Sequence, residues 1–220
     1  MNRRPTLLAA AALTAVAALS LSACGSGDDS SKGTDKIAGA AIGDDSPSSA
    51  PASASRSTAA SRPEINLPSD LTMTFEGGRT GSSIKDAVLA DSAERMRAVN
   101  AAIAGTDPKK EALKFYDTGR ALQAAVIWVG KFKKANLGMT GAIRYYDRTV
   151  TVNGARAASV VFCADESRGY AKDLKSNKAK VTAASDDNYV LYNTRLEKNG
   201  AGVWQTSRII STAGAKQCLT

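Results

Sequence analysis

The sequence predicts an α+β domain in which helices pack on one face of a sheet. Two observations carry this. Apolar residues recur at helical spacing from Ile84 to Phe132. Past Gly141 the period drops to two, and Asn153-Gly154 and the "NGAG" at 199–202 each punctuate a pair of strands. Helices come first and antiparallel strands afterwards, so the helices share a single face.

"LTMTFE", residues 71–76, alternates and predicts a short first strand. Ser83 and Asp86 make an S-x-x-D capping pattern. Ile84, Val88, Ser92, Met96, Val99 and Ile103 form the stripe of a first helix, stopped by Gly105. Asp107 and Pro108 supply the N-cap and N1 of a short helix to about Tyr116, and Asp117-Thr118-Gly119 interrupts it. Leu122, Ala125, Val126, Val129 and Phe132 share one face of a third helix, ending near Asn136 or Gly138. Then "AIRYYDRTVTVNGARAASVVFC" reads as two strands around Asn153-Gly154, the signal of a two-residue type I′ hairpin. Residues 165–187 are polar and read as a loop or a short extra strand, and "NYVLYNTRLEK" with "VWQTSRIIST" is a second hairpin.

Before this domain the chain changes character. Arg3 and Arg4 precede an apolar run of 15 residues, Leu7 to Leu21. That is shorter than the roughly 20 residues of a membrane span and fits an export signal. Leu21-Ser22-Ala23-Cys24 resembles the lipobox of bacterial lipoproteins. The resemblance implies diacylglyceryl transfer to the Cys24 sulfur and cleavage before it, and two acyl chains anchor stably where one binds only marginally. Arg3-Arg4 leaves twin-arginine export open, although Pro5-Thr6 continues it poorly. Residues 1–23 are thus expected to be a lipoprotein signal, 24–64 a disordered Ser/Ala-rich linker, and 65–220 a single domain. The expected location is the extracytoplasmic face of the cell membrane, at the end of a tether with a span on the order of 35 Å.

The 220 residues include 29 Lys+Arg, 21 Asp+Glu and no His, a net charge of +8. Without histidine there is no His triad, His metal site or His proton shuttle. From Ser69 onward 23 basic residues face 15 acidic ones, so the folded part carries the excess. Such a surface attracts polyanions. Outside the cell this means an anionic envelope polymer or lipid headgroups rather than nucleic acid. Lys131, Lys133 and Lys134, in the last turns of the third helix, are the candidate anion-binding residues, or a solvated face that complements the helix dipole. Lys172, Lys175, Lys178 and Lys180 lie in the polar stretch. Of the three cysteines, acylation consumes Cys24. Cys163 and Cys218, in an oxidising exterior and without C-x-x-C spacing, are expected to form a disulfide. No phosphate-cradling loop or metal-ligand cluster appears, so no cofactor is implied.

Three helices followed by long antiparallel hairpins resemble the nuclear-transport-factor-2-like family, and "VVFCADES", "TRLEKNGAGVWQ" and "AKQC" resemble motifs of its lipoprotein members in high-GC Gram-positive bacteria. Ala164, between Cys163 and the acidic pair Asp165-Glu166, departs from that pattern. The resemblance covers about residues 70–220 and implies a curved sheet of about four to five strands, cone-like, with an interior filled by aromatic residues. It makes Tyr145, Asp147, Tyr192 and Trp204 candidate pocket residues. In an extended strand Tyr145 and Asp147 share a face, a Tyr–Asp pairing similar to that of isomerases of this fold. Asp165 and Glu166, adjacent in sequence, point to opposite faces and are expected at a solvated loop entrance. The function expected is a non-catalytic binding or scaffolding module of unidentified ligand. The alternatives are an isomerase- or dehydratase-like enzyme with both Tyr145 and Asp147 pointing inward, and a purely structural envelope protein with a filled cone.

Overall fold

The computed structural model describes residues 61–219. The export signal, the lipobox at Cys24 and nearly all of the linker therefore lie outside the described residues. The described residues belong to one compact unit.

The architecture is α+β, three helices on a mostly antiparallel sheet. β1 (Leu71–Phe75) leads into α1 (Ser83–Ala104), α2 (Glu111–Tyr116) and α3 (Gly119–Lys134). β2 (Leu137–Val152), β3 (Ala157–Asp173), β4 (Lys178–Lys180), β5 (Tyr189–Lys198) and β6 (Trp204–Ala213) come after them. Strand order is β1-β2-β3-β5-β6, with β4 added to the far end of β3. The sheet thus has six strands, more than expected. β1 pairs parallel to β2, and the three helices are the crossover that a parallel pair needs. The stretch 165–187 is largely ordered: β3 continues through Glu166 to Asp173, then turns into β4.

Local signals were met with shifts. Asp86 does not close a box with Ser83. Its Oδ1 accepts from the Thr80 backbone N–H at 2.7 Å and hydroxyl at 2.6 Å, one turn ahead of α1. Gly105 at φ 83° closes the helix as expected. Asp107 caps α2 from a distance, accepting from the N–H groups of Glu111 (2.9 Å) and Ala112 (3.2 Å). The Asn153-Gly154 hairpin forms, but its loop spans residues 153–156. Arg156 is held by β5, exchanging backbone and side-chain bonds with Lys198, which opens the turn beyond two residues.

The main core lies between α1 and the sheet and includes Leu89, Tyr145, Val160, Phe162, Leu196 and Trp204. A second cluster joins α1 to α3 through Val99, Ile103, Leu113, Ala125 and Val129. Burying each Val, Leu, Ile or Phe side chain among them contributes about 1.5–3 kcal/mol. Strand alternation sends Phe162 and Ala164 to this side and Cys163 to the other. There Cys163 bonds to Cys218, with Cα atoms 5.5 Å apart, beside Tyr146 and Ala215. The Tyr146 hydroxyl donates to the Cys218 carbonyl, so the C-terminal turn seals the back of the sheet.

Candidate functional site

Between α1, α3 and the sheet lies a cavity of about 700 Å³. Its walls are largely apolar: Met96, Val99 and Ile103 from α1, Trp128 and Phe132 from α3, Ile143, Val190 and Ile209 from the sheet. An aromatic row crosses the sheet beneath it. Phe75 stacks on Tyr145 at 4.6 Å, Tyr145 meets Phe162 edge-on at 6.0 Å, and Phe162 stacks on Tyr192 at 5.1 Å. Tyr145 and Tyr192 border the cavity.

Two acids line this space, Glu166 and Asp187; Asp187 is exposed, and Glu166 is the one set deeper, in the sheet. The Tyr192 hydroxyl donates to its Oε1 at 3.0 Å. Burial pushes the Glu166 carboxyl above its ordinary range, Tyr192 partly opposing and the neighbouring Asp165 adding to the rise. Burial, then Glu166, also raises Tyr192, and burial raises Tyr145 strongly. Both phenols are therefore neutral donors at neutral pH, and the protonated form of Glu166 is favoured relative to an exposed carboxylate.

Of the four candidate pocket residues, the structure brings Tyr145 and Tyr192 to the cavity and leaves two outside. Asp147 is exposed, at φ 49°, because the β2–β3 register slips between Tyr146 and Thr149. That bulge breaks the period of two that placed Asp147 beside Tyr145. Trp204 is buried in the main core, where its backbone N–H donates to Asp91 Oδ2 at 2.8 Å. The expected solvated entrance at Asp165-Glu166 is instead mid-strand. Their opposite facing holds: Asp165 stands 4.0 Å from Arg144 while Glu166 enters the cavity. Glu166 follows Phe162 and Ala164 in the strand alternation and so points inward, and a second bulge, where Ala142 pairs with Arg168 but Arg144 with Asp165, begins there.

Arg95 also borders the cavity, with its Nε donating to both oxygens of buried Asp117 at 3.0 and 3.2 Å. Burial raises the Asp117 carboxyl and Arg95 pulls it back down. Lys131, Lys133 and Lys134 stand at the end of α3, all three exposed. Among the described residues there is no group of three His, Cys, Asp or Glu able to hold a metal ion.

No family model matches the sequence, nor does any curated protein sequence. Two solved structures show a partial likeness of chain path. The intermembrane-space region of the chloroplast protein ARC6 is 14% identical with a TM-score of 0.42, over 61% of this chain and 98% of that one. A ketosteroid isomerase-like protein from Erwinia carotovora atroseptica is 18% identical with a TM-score of 0.37, over 58% of this chain and 93% of that one.

Proposed function

We propose that this chain is a membrane-tethered, non-catalytic binding module whose cavity takes an apolar ligand with one hydrogen-bonding end. The observation that carries this reading is the open apolar cavity of about 700 Å³, within the size range of small-molecule sites. Glu166 and Tyr192 are the polar groups that meet the ligand's head. The tether and the extracytoplasmic location come from the lipobox-like sequence at Cys24.

The enzyme reading now rests on Glu166 and Tyr192 rather than on Tyr145 and Asp147. The Tyr192 proton is already committed to Glu166, which favours holding over proton transfer. The filled-cone structural reading has no support from a cavity of this size.

The test is displacement of an apolar fluorescent amine by long-chain alcohols and acids. Ala124 borders the cavity at an exposed position, so Ala124→Trp fills the mouth without disturbing the core. It is expected to lower probe affinity at least about tenfold, equivalent to about 1.4 kcal/mol, with unchanged thermal unfolding. Equal binding by Ala124→Trp and the parent overturns the cavity reading. Turnover of any substrate that is lost in Glu166→Gln overturns the non-catalytic one.

A further inference from the structure

The outer face of α3 is unusual for a helix in a small domain. Val126, Ile127 and Trp128 stand in succession at 38%, 62% and 50% exposure. Isolated exposed apolar residues are ordinary, but three together beside a cavity mouth form a patch. Lys131, Lys133 and Lys134 come within the next two turns, with the Lys131 ammonium 6.0 Å from the Trp128 ring centre. No Asp or Glu occurs between Asp117 and Asp147 in the sequence. The β3–β4 turn adds to the same end. Its Leu174 N–H donates to the Asn136 carbonyl at 3.1 Å, just past α3, and Leu174 is 44% exposed. Lys175, Lys178 and Lys180 are exposed beside it. The nearby Asp173 is engaged in its own turn, accepting from Lys175 and Ser176.

We infer that α3 lies against an anionic lipid bilayer, with Val126, Ile127 and Trp128 in the interfacial layer and Lys131, Lys133 and Lys134 against the headgroups. The lysines alone fit any polyanion. The apolar trio decides for a lipid surface, because a soluble polymer gives those side chains nothing to enter. Lys131 and Lys134, four and seven residues after Ile127, share its face of α3, with Trp128 and Val126 at the two edges and Lys133 on the Val126 side; lysine stems cover apolar surface while their ammonium groups reach phosphate, as on an interfacial helix. No helix among the described residues is long and apolar enough to cross a membrane, so α3 lies on the bilayer rather than in it. Trp128 also borders the cavity, so docking brings the cavity mouth to the lipid. The inference rests on the tethered reading only for the proximity of the bilayer, and it does not depend on what fills the cavity.

The chain carries its own reporter. It has two tryptophans; Trp204 is buried at 1% exposure, so Trp128 is the one that senses lipid. The full processed chain is mixed with vesicles of phosphatidylcholine, alone or with phosphatidylglycerol, carrying bromine-labelled acyl chains. Trp128 emission is expected to shift to the blue and be quenched in the anionic vesicles. Trp128→Phe removes that signal and isolates Trp204. Neutralising Lys131, Lys133 and Lys134 to Gln is expected to lower the docked-to-undocked ratio on the order of 100-fold, at about tenfold or less per lysine. Flotation of the same samples reports the anchor separately, so a chain that floats with Trp128 unquenched overturns docking and leaves the tether standing. Equal quenching in the triple Gln variant, or the same blue shift produced by soluble polyphosphate without vesicles, also overturns it.

Discussion

Asp91 and Asp117, under the helices, each face an arginine, whereas Glu166, facing the cavity, accepts its hydrogen bond from the neutral Tyr192. The first two are closed arrangements. Arg62 and the Trp204 N–H converge on Asp91, and the Arg95 Nε–H is shared between both oxygens of Asp117. An ionised carboxylate is tolerated in the interior only with such company. Glu166 has no arginine among its hydrogen-bond partners and its pKa is raised by burial. A carboxyl held by a single phenol hydrogen bond gives up that partner to an incoming ligand at smaller cost than a buried ion pair does. On the proposed binding reading, the difference separates groups that hold the fold from one left for a ligand.

The sharpest way to break this contrast is Arg95→Met, which leaves Asp117 buried without its cation. A loss of about 3–5 kcal/mol is expected in urea unfolding, with part of it recovered in the Arg95→Met, Asp117→Asn double variant. Asp91→Ala comes next. It leaves the Trp204 N–H unsatisfied, costing about 1–3 kcal/mol. It also releases Arg62, so thermolysin is expected to reach Ile65 and Leu67 far faster than in the parent. Glu166→Gln has the smallest effect, within about 1 kcal/mol, because the amide oxygen still accepts from Tyr192. Its signature is the pH profile. The folded form holds the Glu166 proton above the pH at which the unfolded chain releases it, so the parent loses stability as pH rises from about 4 through the raised folded value. Glu166→Gln is expected to lack that component, with its stability relative to the parent improving as pH rises. An identical pH profile would remove the distinction between Glu166 and the paired acids.

The helices and hairpins were legible because their periods are long and consistent. Gly105 and Asn153-Gly154 mark real boundaries, and the Cys163–Cys218 bond joins the two cysteines expected to pair. The sequence spoke less clearly where β2 and β3 bulge, because a residue inserted into one strand reverses the facing of every residue beyond it. One bulge sent Asp147 outward, whereas Glu166 points inward by plain alternation with Phe162 and Ala164, and what the sequence concealed was that β3 runs on through it. A signal was available in the glycines: Gly141 and Gly169 pair directly across β2 and β3. Gly141 sits at φ 95°, where a Cβ would fall 2.1 Å from the Arg168 carbonyl oxygen. Glycine in a strand interior marks such irregularity. Trp204 was misplaced for another reason: an aromatic beginning a strand fits a core or a pocket equally well, and the acceptor that fixes it, Asp91, lies 113 residues away.

Arg62 is where the described chain first grips the domain, and its partner Asp91 also takes the Trp204 N–H at the start of β6. Any pull on the chain upstream of Ser61 therefore enters through α1 and β6 together, and not through β3, which carries the cavity-facing Glu166. The Thr106 hydroxyl, donating to the Asn66 carbonyl at 2.6 Å, is a second rivet along the same line. Tension dragging the domain sideways would peel residues 61–67 before it reached the sheet, so this short segment acts as a mechanical fuse for the domain.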